Sequence, residues 1–150
     1  MALHVREQIA VAVKAAITSL TTTGANVFRD RDTAERPLQS GEVPGLLIDD
    51  NGEPAETITV DASGLLERAM RLSIEAHVKA TSGYSAQLNL ILKELEIALA
   101  GASLGGAKYA HLVEVGAREK SEAGDQPTLR QVFVFELLYY TAPGAPDTAL

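Results

Sequence analysis

The chain has 150 residues, no cysteine, no tryptophan, 46% hydrophobic residues with only three Phe and four Tyr, and a formal charge of -7. That length suits one domain with one core, which must be mostly aliphatic. The composition excludes disulfides, thiolate metal sites and cysteine nucleophiles, and the charge has the wrong sign for gripping a phosphate backbone.

Residues 3–21 place Val5, Ile9, Val13, Ala16, Ile17 and Leu20 at steps of three and four, the stripe of a helix packed by one face. His4, Arg6 and Glu7 interrupt its apolar pattern. No unbroken run reaches the roughly 18 apolar residues that cross a bilayer, so no signal peptide, transmembrane helix or membrane partner is expected. The β-branched Thr21, Thr22 and Thr23 weaken the helix, and Gly24 can take the positive φ of a cap.

The short segment 25–31 (ANVFRDR) predicts an edge strand anchored by Val27. Residues 32–44 are polar and broken by Pro37, Gly41 and Pro44, so they predict a surface connection. The run at 45–50 (GLLIDD) predicts a strand closed by a hairpin-type turn at Asn51-Gly52, with the alternating segment 57–61 (TITVD) as its partner.

The clearest strand is RAMRLSIEAHVKA, with Met70, Leu72, Ile74, Ala76 and Val78 on one face and Arg71, Ser73, Glu75, His77 and Lys79 on the other. After TSGYS the period returns to a helix: Leu88, Ile91, Leu92, Leu95, Ala98 and Leu99 form a second stripe, with Ser82 or Ser85 as cap and Gly101, Gly105 and Gly106 as its end. A strand is expected at about 107–115, and the charged REKSEAGDQP segment reads as a mobile loop.

The last strand, TLRQVFVFELLYYT, is apolar on both faces, with Phe133, Phe135, Leu137 and Tyr139 on one and Val132, Val134, Leu138 and Tyr140 on the other. Two helices can shield one face, so the other predicts a cover from a second subunit. The tail 142–150 has two prolines and is expected to fray or to dock on a partner. The order of elements predicts one α+β domain, a two-layer sandwich of a mostly antiparallel sheet with two helices on one face.

Residues that carry chemistry are scattered. Asp49 and Asp50 could serve a metal or acid/base role, but DDNG also makes an ordinary turn, and adjacent strand residues point opposite ways. Asp30 and Asp32 sit among Arg29, Arg31 and Arg36, which favours a solvated or intersubunit ion-pair surface. His4, His77 and His111 show no metal-ligand spacing, and no serine has a nucleophile-elbow setting. The glycine-rich 101–106 segment follows a helix and has no Lys-Ser/Thr pair, unlike a phosphate cradle. No enzymatic activity and no cofactor are expected.

The helix REQIAVAVKAAI, the FRDRD segment, the EVPGLLIDD strand, the alternating RLSIEAHV strand, the helix LNLILKELEIAL and the closing FVFELLYYT strand together resemble the tail terminator proteins of long-tailed bacteriophages, the lambda minor tail protein U family. The resemblance covers nearly the full chain. It implies a hexameric ring at the head-proximal end of the tail that stops tube polymerisation and presents a surface to head completion proteins. Its partners would be further copies of itself, the tail tube protein and a head completion protein, with DNA passing through the channel without specific binding.

The positions it implies as ring, lumen or tube contacts are Arg29, Asp30, Arg31, Asp32, Arg36, Asp49, Asp50 and Glu53. The apolar final strand adds Phe133, Phe135 and Tyr139 as candidate interface residues. The loop 118–126 departs in length and charge from the family's expected pattern. The alternatives are another neck or connector protein, which shares the size, acidity and α+β character, and a small metal-dependent hydrolase using Asp49 or His77.

Overall fold

A computed structural model describes residues 2–33, 35–50 and 57–150. Its elements are α1 (Val5–Ile17), β1 (Val27–Arg29), a 3-10 turn (Ser40–Glu42), β2 (Gly45–Asp49), β3 (Thr57–Val60), β4 (Leu66–Lys79), α2 (Tyr84–Gly101), β5 (Tyr109–Val115), β6 (Glu119–Ser121) and β7 (Thr128–Thr141). The sheet runs β1-β2-β4-β7-β5, with β3 also on β4 and β6 also on β7. Among the described residues, β1 and β2 are parallel and the other pairings are antiparallel. This is the expected α+β arrangement, with both helices on one face of an open sheet.

Helix α1 begins where the His4 ring nitrogen Nδ1 accepts from the backbone N–H of Arg6 at 3.0 Å. It stops at Ile17, short of the expected residue 21, because Thr18 and the following threonines favour turns. Gly24 then closes that turn at φ 55°, its N–H on the Leu20 carbonyl at 2.8 Å. Helix α2 has Gly83 at its N-cap in the left-handed region, so neither Ser82 nor Ser85 caps it.

The core lies between helices and sheet. Val5, Ile9, Val13 and Ile17 of α1 and Leu88, Ile91, Leu95 and Leu99 of α2 pack with Met70, Leu72, Ile74, Ala76 and Val78 of β4 and Phe133, Phe135, Leu137 and Tyr139 of β7. Each such side chain contributes about 1.5–3 kcal/mol on full burial, so this aliphatic seam dominates the fold. The long β4–β7 pairing, from Leu66↔Thr141 to Lys79↔Thr128, is its floor.

Three sequence expectations change. Strands β2 and β3 do not pair with each other: both lie along the same edge of β4, at Ser73–His77 and Leu66–Ala69. Alternation reports which residues share a face, and carries no information on which strand is the neighbour. The turn expected at Asn51-Gly52 lies outside the described residues. A tight connection is described at 61–65, where the Asp61 carboxylate accepts from the N–H groups of Ser63 and Leu65, both at 2.9 Å.

The charged segment after β5 is also not all loop, since Glu119–Ser121 pairs with Thr128–Arg130 of β7. The tail 142–150 is held by its own chain. The Pro146 carbonyl accepts from Val5 N–H at 2.9 Å, Ala149 bridges Thr141, and Leu150 N–H reaches the Tyr140 carbonyl at 3.0 Å. Among the described residues, no helix is long and apolar enough to cross a membrane.

Candidate interaction surface

The arginines at the end of β1 and just after it find different partners. Arg29 shares the helix side of the sheet with Val27 and meets Glu7 of α1 through two bonds, at 2.7 and 2.8 Å. The same guanidinium reaches the Asp50 carboxylate at 2.9 Å, and the Asp50 carbonyl accepts from Arg6 at 2.6 Å. The Arg29 hydrogen bonds hold the Glu7 carboxyl below its usual range, and Glu7 in turn raises the pKa of Arg29. This bidentate pair fixes α1 against the sheet edge.

Arg31 works in the opposite direction, toward the outer face. It binds both oxygens of Glu42, at 2.6 and 2.9 Å, and donates to the carbonyls of Arg36 and Pro37, each at 2.8 Å. Its guanidinium also stacks 4.9 Å from the Phe28 ring centre. The Arg31 bonds and the Gln39 N–H pull the Glu42 carboxyl down to about 2. Under this clamp Leu38 and Val43 close over Leu47 and Phe28 in a second small apolar cluster on the outer face.

The aspartates are left outward. Asp30 is exposed at φ 58°, a left-handed conformation that Asp tolerates better than most side chains. With Arg31, Asp32, Asp49, Glu75, Leu47 and Ile48 it borders a depression of about 280 Å³. Arg36 is exposed on the connecting loop, its N–H on the Asp32 carbonyl at 2.8 Å. Of the sequence candidates, Arg29, Arg31 and Asp50 are partly buried in these contacts, while Asp30, Asp32, Arg36 and Asp49 are exposed, with Asp32 and Asp49 each keeping an interaction within the chain. Glu53 lies outside the described residues.

The aromatic candidates change role. Phe133, Phe135 and Tyr139 are at most 2% exposed, and lie beneath the helices. They cannot touch another subunit while the core is intact. The period-two pattern grouped them correctly, but which face the helices take is a tertiary choice. The outer face of β7 instead presents Val132, Leu138 and Tyr140, all half-buried, with Val134 buried among its neighbours.

Sequence reasoning also missed a network on this outer face. His77 is only 4% exposed, with Nε2 at 3.2 Å from Glu75. Arg130 bridges Glu75 at 3.4 Å and Glu119 at 2.6 Å. Bonds from His77 and then Arg130 lower the Glu75 pKa. Residues 37–39 and 123–125 meet beside it, with the Asp125 N–H on the Gln39 side chain at 3.2 Å. Glu75 and His77 on one strand face were visible in the alternation, whereas Arg130 joins them only through the His77↔Arg130 register.

The other histidines are elsewhere: His4 caps α1, and His111 lies on β5, 3.7 Å from Glu136. Among the described residues, no three His, Asp or Glu side chains are grouped to hold a metal ion.

No protein-family model matches the chain, and no curated protein matches it in sequence. A solved structure described as the virion of a native gene transfer agent particle contains a chain of similar fold, with a TM-score of 0.56 and 16% identity. The match covers 93% of this chain and 96% of that one. The likeness is one of fold. It extends over nearly the whole of both chains.

Proposed function

We propose that the chain is a structural virion protein and, more narrowly, a tail terminator: a hexameric ring that caps the tail tube, ends its polymerisation and prepares the tail for head joining. The observation that carries this reading is the near end-to-end fold likeness to a chain of a virion particle. The sequence resemblance to tail terminators narrows it. Assembly of this kind draws only on binding energy, and needs no reacting side chain.

In this reading the protein sits at the head-proximal end of the tail, bound to copies of itself, to the tail tube protein and to a head completion protein. The outward Asp30, Asp32, Arg36 and Asp49 supply ring, lumen or tube contacts. A net charge of -7 disfavours adhesion of DNA moving through the channel.

The test is the mass of the purified protein in solution, negative-stain images, and addition to growing tail tubes. Six-copy rings and tubes that stop growing at a capped end are expected. Gold-labelled protein found on the portal side of the head-tail joint would instead make it a neck protein. A monomer at high concentration that leaves tubes uncapped would remove the ring altogether.

A further inference from the structure

Among the described residues, β1 and β3 on one side of the sheet and β5 and β6 on the other each have a single strand partner. Among the described residues β3 pairs only with β4, and β5 only with β7, so each leaves one backbone edge open. Five of the eleven exposed large hydrophobic residues lie on these edges: Ile58 and Val60 on β3, and Tyr109, Val113 and Val115 on β5. Open edges that carry apolar side chains and no proline are templates for strand addition.

We propose that β5 of one copy adds to β3 of the next, forming the copy-to-copy contact of the ring; this rests on the self-assembly proposed above. Direction supports it. Strand β3 is antiparallel to β4, β4 to β7 and β7 to β5, so β3 and β5 run in opposite senses. A rotation that carries one sheet beside the next without flipping it therefore joins them antiparallel, the more stable pairing.

Length agrees. A bulge between Leu112 and Glu114 limits the regular part of β5 to Tyr109–Leu112, four residues against the four of β3. The edges sit at different heights, β3 beside Leu66–Ala69 and β5 beside Phe133–Leu138. Strands inclined to the ring axis, as in closed sheets by roughly 35–45°, bring them level.

The absence of cysteine makes a clean test. Thr59 and Tyr109 are both exposed and share the outer face, so Thr59→Cys and Tyr109→Cys proteins are purified apart, mixed, and treated with a short bismaleimide. Cross-linked dimers are expected in the mixture and in neither protein alone, and the double variant should give a ladder ending at the ring size. Cross-linking of Tyr109→Cys protein with itself would identify a twofold β5–β5 contact and overturn the proposal. Rings that persist in images without cross-links also overturn it, while leaving the ring intact as a reading. If the unsubstituted protein forms no ring in solution or on tubes, ring and contact fall together.

Discussion

On the helix side of β7, Phe133, Phe135, Leu137 and Tyr139 are sealed beneath α1 and α2, whereas on its outer side Val132, Leu138 and Tyr140 keep part of their surface in water. The outer side is closed at one end by the chain's own connections over His77 and Leu47, and elsewhere is bounded by polar rungs. Arg71 meets Glu136 at 3.2 Å, and the Tyr140 hydroxyl donates to Glu67 at 3.1 Å. The difference teaches that one strand can divide its work between its faces. The sealed face holds the domain together, and the open one keeps apolar surface soluble without burying it.

The sharpest way to break that comparison is to truncate one residue on each face. Phe135→Ala is expected to lose about 3–5 kcal/mol of unfolding free energy in urea, against about 1 kcal/mol for the half-buried Leu138→Ala. Equal losses would mean that the outer face is as closely packed as the inner one.

A second substitution probes how tightly the helix side is closed at its rim. Gly105 has φ 61°, and a Cβ there would lie 2.7 Å from the backbone of Gln8 in α1. Gly105→Ala should cost about 2 kcal/mol through strain and displacement of the helix, read as a lower thermal midpoint. An unchanged midpoint would show that α1 rides loosely on that turn.

The smallest effect tests the clamp on the outer side. The Glu42 carboxyl is lowered from 4.5 to about 2, so its contribution is complete above pH 4.5 and is lost as the pH falls toward 2. Glu42→Gln should therefore be less stable by about 1 kcal/mol at neutral pH, with a shallower decline between pH 4.5 and 2 than the parent. Parallel stability curves would show that the Arg31–Glu42 pair does not hold the 32–44 connection down.

The parts legible in the sequence were those whose periodicity persists. The stripes Val5-Ile9-Val13 and Leu88-Ile91-Leu95 and the alternation from Met70 to Val78 marked α1, α2 and β4 because each has one wet side and one dry side. Strand β1 was visible through Val27 alone, and β6 not at all, since EKS carries no apolar signal and is a strand only because the β7 backbone pairs with it. At the candidate surface, the alternating Arg and Asp of residues 29–32 announced charge, but not its division. Which partner each arginine finds depends on Glu7 and Glu42, brought close by packing that no local pattern records.

The bond between Val5 and the Pro146 carbonyl, with the Gln8 side chain donating to the carbonyls of Leu3 and Asp147, brings residues from opposite ends of the chain to one spot at the start of α1. A substitution that loosens residues 146–147 would therefore also disturb the first turn of α1, although about 140 residues of chain lie between them.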